Sequence, residues 1–406
     1  MDFPTLQNRL INKCHVLLIM LGLCSSIESI DRVGDYCARI PPEAFTPRSG
    51  SANTLRSVQV LFRHGTRGDH QKGSCFQNHA QTRYSCRTRS VFGLGTNLED
   101  MLKLRTITSP RTIKVYEGPS NSCSQGQLLD EGIVQISKLG KVLKSAYPMI
   151  FTPQKLRNTY LYSTDTQRTF ATMHVLISHI YPRSGIRYPF EVNTREFADD
   201  FFALNIPECK RFVDLRSSFH STSVFKELVS SPEFKACEAR WEESFGTPLE
   251  IKYADDCLLS SYCSKTPLPG GDLVDPQLLS CVTKTTFELR AIKLGGVANT
   301  SFTEQGQQIC QLGSFHVLES IRNSVFNNND EAGLYSIHDE TYVCLLISLG
   351  IWDGIWPRYA SFIVFEFHSD GVVRVVRDGK EIAELDDALV LRLFKNNEDV
   401  KEFCRM

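Results

Sequence analysis

The stretch Phe62–Asp69, FRHGTRGD, sets Arg63 and Arg67 four positions apart around His64 and Gly65. Further along, YSTDTQRT (162–169) brings a third arginine, Arg168, and a later segment carries His338 next to Asp339. These residue types suit one chemistry. Arginine presents a planar fork of donors that matches phosphate oxygens. A histidine between such cations is held neutral, below its ordinary value of about 6.5, and a neutral ring nitrogen can attack phosphorus. Asp339 is the candidate to protonate the departing alkoxide, since an anionic phosphate beside a carboxyl group favours its acid form. His338 is a further donor to the phosphoryl oxygens as charge builds there. Gly65 lets the backbone approach the ligand with no Cβ in the way. The expected reaction is hydrolysis of a phosphate monoester through a phosphohistidine.

That chemistry requires three distant segments to meet. Ser57–Phe62 alternates, with Val58, Val60 and Phe62 on one face, and reads as a strand ending at the motif. Tyr160–Tyr162 is a short strand running into Ser163-Thr164-Asp165, which read as caps of a helix marked by Phe170, Met173, Ile177 and Ile180. Leu334–Ile337 is a third strand, turning at His338-Asp339 into a helix over Thr341–Leu349 that Gly350 stops. Ligands of open α/β sheets bind outside the carboxyl ends of the strands, where these junctions can converge. Helix N-termini after Asp165 and Asp339 would add backbone donors.

Other segments supply the frame. Ile133, Ile136, Leu139 and Leu143 have helical spacing within Gln125–Ala146. Ser301-Phe302-Thr303-Glu304 is a capping-box pattern before a helix through Ile309, Leu312, Val317 and Ile321. Phe362–Phe367 and Val372–Val376, joined across Ser369-Asp370-Gly371, read as a hairpin at the sheet edge. Residues 182–298 are Cys-rich and punctuated by Pro207, Pro232, Pro248, Pro267 and Pro269. The expectation is an α/β domain over residues 30–181 and 299–406, with residues 182–298 inserted as a mainly helical and irregular cap lobe.

With 45 Lys+Arg against 46 Asp+Glu, the net charge of −1 gives no reason to invoke nucleic acid or an anionic membrane surface. Residues 1–29 place Arg9 and Lys13 before HVLLIMLGL (15–23) and the small residues Cys24–Ser26, the pattern of a signal peptide or an uncleaved signal anchor. The apolar run falls short of the about 20 residues of a bilayer span, so membrane attachment is expected only through this segment. Setting aside Cys14 and Cys24 leaves an even number of the 14 cysteines, which suits an oxidising compartment. Cys209, Cys237, Cys257, Cys263 and Cys281 match no zinc spacing and read as disulfides of open connectivity, whereas Cys344, in an apolar helical run, reads as a buried thiol. Asn299-Thr300-Ser301 is a glycosylation sequon. No metal or cofactor is indicated. His174 and His179, five apart on a helix, read as surface or packing residues, and His70 and His79 flank the motif with no partner pattern to support a role. Trp352 and Trp356 read as structural, with the alternative that one lines the substrate mouth, since both follow the His-Asp helix. Glu340 and Asp165 read as a solvated first-turn residue and a cap, and Glu381–Asp387 as a solvated acidic face.

The sequence resembles the histidine acid phosphatases, whose pattern is RHGxRxP near the N-terminus and a late HD pair. LLDEGIVQISKLGKVL (128–143), YSTDTQRT (162–169), LYSIHDETYVCLLISLGI (334–351) and WPRYASFIVFEF (356–367) carry the likeness, which is weakest in the inserted lobe. It implies a phosphoglycerate-mutase-like mixed α/β sheet flanked by helices, with an inserted helical lobe. It also implies that His64 is the nucleophile, Asp339 the proton donor, and Arg63, Arg67, Arg168 and His338 the phosphate-binding residues. Within the superfamily the chain is similar to the Golgi xylose-2-phosphate phosphatases in the Cys-rich stretch 257–281, the PRYA segment at 357–360, the Asn299 sequon and the helix after it. That likeness implies a glycan phosphate monoester, the 2-phosphate of xylose in the glycosaminoglycan–protein linkage region, and a Golgi-luminal or secreted enzyme. The alternatives are a generic secreted acid phosphatase or phytase, a mutase of the same superfamily, and a catalytically weakened phosphate-binding homologue. Asp directly after His338 and the signal sequence argue against the mutase. The weakened homologue is motivated by Asp69 in place of the motif's proline, after Gly68, where it could pair with Arg67. Ile337 also stands where Gly or Ala is common. We read these departures as altered substrate fit.

Overall fold

The computed structural model describes residues 54–69, 125–181, 191–249, 251–268, 274–298 and 301–386, together with Tyr36, Cys37, Phe76, residues 84–86, Cys123 and Cys404. The N-terminal segment, His70, His79 and Asn299 lie outside the described residues. The chain runs from strand β1 (Leu55–Arg63) to helix α1 (Asp130–Ala146), strand β2 (Thr159–Ser163) and helix α2 (Gln167–Ile180). Five helices follow: α3 (Lys210–Ser217), α4 (Ser223–Ser230), α5 (Pro232–Phe245), α6 (Ile251–Ser264) and α7 (Pro276–Lys293). A small hairpin of β3 (Gly296–Ala298) and β4 (Ser301–Phe302) leads to α8 (Glu304–Arg322), then β5 (Ala332–Ile337) and α9 (Asp339–Ser348). Strands β6 (Phe362–His368), β7 (Val372–Arg377) and β8 (Lys380–Asp386) close the described fold.

Six strands form one mixed sheet in the order β2-β5-β1-β6-β7-β8. β2, β5 and β1 run parallel, and β6, β7 and β8 add on antiparallel. β1 lies inside the sheet and is covered on both faces, so its residues from Ser57 onward are all buried. On one face Val58, Val60, Phe62 and Leu161 pack with Ile133, Leu139, Leu176 and Ile177 of α1 and α2. On the other, Leu61, Tyr335, Ile337 and Phe365 pack with Val317, Ile321, Tyr342 and Leu346 of α8 and α9. The hairpin of β6 and β7 forms as expected, but it is not the edge. The acidic stretch at residue 381 is strand β8, paired along β7, and that strand occupies the rim.

Helix starts depart from expectation in instructive ways. The cap of α2 is Thr166 rather than Ser163-Thr164-Asp165, because Ser163 still belongs to β2 and Thr164 N–H reaches back to Ser336 O across the sheet. The cap of α8 is Thr303, whose hydroxyl accepts from Gly306 N–H, because Ser301 is paired in β4. Helix α1 is continuous through Gly140.

The lobe of α3–α7 does not keep a core to itself. Leu258, Leu259, Leu278 and Val282 join Ile309, Val343, Ile347, Trp356 and Tyr359 in one buried cluster, so α6 and α7 lean onto α8 and α9. Disulfides Cys37–Cys263, Cys86–Cys123, Cys209–Cys404 and Cys237–Cys281 fasten it, and Cys257 is disulfide-bonded too. Cys344 is not the free thiol that its apolar helix suggested. It pairs with Cys310 of α8, because α8 and α9 lie side by side over the sheet. This disulfide set fits an extracellular or luminal protein. Among the described residues no helix is long and apolar enough to cross a membrane.

The end of β1 is held by backbone contact. Leu129 N–H donates to Thr66 O, Gly68 N–H to Gln127 O, and Gln135 Oε1 accepts from Thr66 N–H at 2.8 Å. A Cβ on Gly65 would lie 2.5 Å from the carbonyl oxygen of Gly132 and 2.7 Å from its Cα. Gly65 is therefore needed for the first turn of α1 to meet the strand end. Gly65→Ala should cost about 1–3 kcal/mol of stability, as overpacking at rigid backbone does. A lower urea midpoint would show this, and an unchanged one would mean that the junction is looser than the structure has it.

Candidate active site

Because β1, β5 and β2 are parallel neighbours, their carboxyl ends deliver Arg63-His64, His338-Asp339 and the turn before Arg168 to one side of the sheet. The His64 and His338 rings stand 5.7 Å apart, and Arg168 Nη2 lies 3.5 Å from His338 Nδ1. Arg63 Nη2 is 2.9 Å from Asp339 Oδ2. Arg67 is buried beside them and paired at 2.7 Å with Asp256 of α6. All six residues expected at the site share this one place.

His64 is buried and its Nδ1 lies 2.9 Å from Gly65 O. A carbonyl only accepts, so Nδ1 carries the proton and Nε2 keeps its lone pair. Burial first, then Arg168, Arg63 and Arg67, hold the imidazole well below its usual range. The arginines thus reinforce a neutral state that burial already favours.

Asp339 is a carboxylate among these side chains. Burial raises its pKa, but Arg63, Arg290 and the Trp356 N–H outweigh that and hold the carboxyl well below the usual range, so it is ionised. Arg290 Nη1 lies 3.7 Å away, and Trp356 Nε1 donates to Oδ2 at 3.1 Å. The start of α9 favours the carboxylate as well.

His338 is also fully engaged. Thr164 gives its hydroxyl proton to Thr169, so it accepts from His338 Nε2 at 3.0 Å, and Nδ1 faces Arg168. Burial and the Arg168 charge keep this ring neutral. It can donate to a phosphoryl oxygen only after gaining a proton or changing partner.

The arginines are unequally compensated. Arg63 has Asp339, Arg67 has Asp256, and Arg290 has Asp255 at 2.9 Å. Among the described residues Arg168 has no carboxylate partner, and its buried Nε is unbonded. Burial and the nearby Arg67 push its pKa down to about 9, the mark of a cation short of counter-charge. An anion beside Arg168 would relieve that deficit.

Several contributors carried no motif. Arg290 of α7 and Asp255 and Asp256 of α6 come from the lobe, where no pattern pointed to them. Trp356 is both packed in the core and in the site, where it donates to Asp339. Glu340 is not solvated but joins Arg216 of α3 and Lys293 of α7, 3.5 Å away, tying the lobe to α9. Arg67 pairs with Asp256. Adjacent acids on a helix, such as Asp255-Asp256, were the one available hint. His174 is buried and His179 bonds Val175 O at 2.9 Å, both within helix α2. Among the described residues no group of three His, Cys, Asp or Glu is placed to hold a metal ion.

The sequence profile of the histidine phosphatase superfamily (branch 2) matches residues 54–266, just over half of the chain. The chain belongs to this superfamily. It is 26% identical over 269 residues to the testicular acid phosphatase of Homo sapiens, covering 60% of this chain and 59% of that one. It is 25% identical over 261 residues to the lysosomal acid phosphatase of Bos taurus, covering 60% of each. The chain thus spans less than two thirds of the length of these curated relatives. Its fold is similar to the phytases of Citrobacter braakii (TM-score 0.52, 11% identity, 86% of this chain and 97% of that one) and D. castellii (TM-score 0.52, 12% identity, 93% and 88%).

The electrostatics can be read out directly. The His64 ring should stay neutral in NMR titration from pH 7 down through about 6.5, where a free imidazole is half protonated. Arg168→Met removes the largest repulsive charge on the imidazolium, so the His64 midpoint should move upward. A wild-type midpoint at or above the free value would overturn the assignment.

Proposed function

We propose that this protein hydrolyses phosphate monoesters by transferring the phosphoryl group to His64 and then to water. One observation carries the reading. A buried neutral imidazole with Nε2 unprotonated stands among Arg63, Arg67 and Arg168, opposite a carboxyl group on a helix N-terminus. Nε2 attacks phosphorus, the phosphoryl oxygens take the arginine forks, and the P–O bond to the alcohol breaks. Water then attacks the phosphohistidine and releases phosphate.

The proton for the leaving alkoxide must be accounted for, since Arg63, Arg290 and the Trp356 N–H hold Asp339 ionised. A phosphate ester has its second pKa at about 6, so in mild acid it arrives as the monoanion with one proton. Entry of the phosphate draws Arg63 toward it and sets a negative charge beside Asp339. Both changes raise the affinity of Asp339 for a proton, which the monoanion supplies. Asp339 then passes it to the leaving oxygen. Activity should accordingly favour acidic pH.

The departures Gly68 and Asp69 leave this arrangement in place. Gly68 N–H and Asp69 O bond to Gln127 and Gly126 in a loop beside the site. This supports an active enzyme over a weakened homologue. For the substrate, the likeness in stretches 257–281 and 357–360 favours the 2-phosphate of xylose in the glycosaminoglycan–protein linkage region, met in the Golgi lumen. The second reading, a generic acid phosphatase, is favoured by the names of the curated relatives. A panel of xylose 2-phosphate glycans, other sugar phosphates and inositol phosphates separates the two by kcat/KM.

Asp339→Asn tests the proton path. It keeps the shape of the side chain but has no proton to transfer. A sugar alcohol leaves poorly unless protonated, so sugar-phosphate hydrolysis should fall by about 10²–10⁴-fold. A nitrophenol leaves unaided, so its phosphate should lose far less. Equal losses on both would mean that Asp339 only positions Arg63 or His338.

A further inference from the structure

Tyr36 carries no motif, yet it packs against Arg63 of the arginine cluster. It is 5% exposed, stacked on Phe287 at 5.3 Å and edge-on to Tyr359 at 5.2 Å. The Arg63 guanidinium sits 5.3 Å from its ring centre and 4.5 Å from that of Tyr359, and Arg63 Nη1 donates to the Tyr36 hydroxyl and to Pro357 O. The next residue, Cys37, is joined to Cys263 of α6. Its carbonyl also accepts from Gln135 Nε2 at 2.9 Å, and the same amide holds Thr66 of the motif loop.

We propose that Tyr36 is a positioning residue for Arg63, and that the Cys37–Cys263 disulfide holds it there. The inference rests on reading the cluster as a phosphate site. Its logic lies in what kind of acceptor Tyr36 is. Arg63 already faces one carboxylate, Asp339, through Nη2, and a second carboxylate would neutralise it further and compete with an arriving phosphate. A buried phenol orients Nη1 without adding negative charge, and burial keeps the phenol protonated. Nη2 is then directed toward Asp339, where the leaving group has to be. Helix α6 sets two of the arginines at once. It fixes Arg67 through Asp256, and Arg63 through Cys263, Cys37 and Tyr36.

The test is the affinity of the full chain for inorganic phosphate, measured by calorimetry and paired with steady-state kinetics on a sugar phosphate. Tyr36→Phe keeps the ring and removes only the acceptor, so Tm should stay near wild type. Phosphate affinity should fall by about tenfold, the scale of one hydrogen bond to a charged group. KM should rise by a similar factor, with a smaller change in kcat. The double variant Cys37→Ser/Cys263→Ser should lose at least as much affinity, and adding Tyr36→Phe to it should cost little more, because both act through one contact.

Unchanged phosphate affinity in Tyr36→Phe overturns the proposal. Fully additive losses overturn the tether while leaving the role of Tyr36. If the serine variant does not fold, Tyr36→Phe alone decides the positioning role, and loss of phosphate affinity at disulfide-reducing potentials that spare the fold decides the tether. A wild-type protein that binds phosphate but hydrolyses no ester would refute the proposed function, and the phosphate affinities would still decide the role of Tyr36.

Discussion

The structure turns on one electrostatic problem: four guanidinium groups, Arg63, Arg67, Arg168 and Arg290, are gathered with two imidazoles in a space mostly closed to water. Buried charges are tolerated only when paired, because the loss of hydration costs several kcal/mol per ion. Three of the four are paired, with Asp339, Asp256 and Asp255. The shortfall falls on Arg168. Burial, reinforced by this crowding, keeps His64 and His338 neutral, while Arg63 and Arg290 outweigh burial and keep Asp339 ionised. In the proposed mechanism the nucleophile, the waiting acid and the anion affinity all depend on this one balance, which an arriving phosphate would shift.

This balance explains why the fold is divided as it is. The parallel strands β1, β5 and β2 bring in the motif residues, and the helical lobe brings in the counter-charges. Asp255 and Asp256 come from α6 and Arg290 from α7, while Glu340 at the start of α9 is held by Arg216 and Lys293. The lobe is therefore part of the site. Its disulfides matter to the chemistry for that reason, since displacement of α6 would strip Arg67 of its partner and release Cys263.

Much of this was legible in the sequence, and the remainder was hidden for identifiable reasons. Strand β1 could be read because alternation is a local pattern, and His64, His338 and Asp339 because each stands in a short polar motif directly after an apolar strand. Local patterns also misled where tertiary pairing took over. Ser301 looked like a cap but belongs to a strand, and Cys344 looked like a buried thiol but faces Cys310. Glu340 looked solvated because nothing in sequence predicts that Arg216 and Lys293 approach it. Arg290 and Tyr36 were missed because each meets its partner across a long sequence separation, without a motif around it.

The central claim is that His64 is the atom donor to phosphorus. Rapid acid-free quenching of the wild-type protein during turnover of a 32P-labelled sugar phosphate, followed by peptide mapping, tests it most directly. The account predicts label on the peptide that contains His64, labile in acid and stable in base as a phosphoramidate is, and absent from His64→Ala. Label recovered on a serine or an aspartate, or turnover retained in His64→Ala, would contradict it.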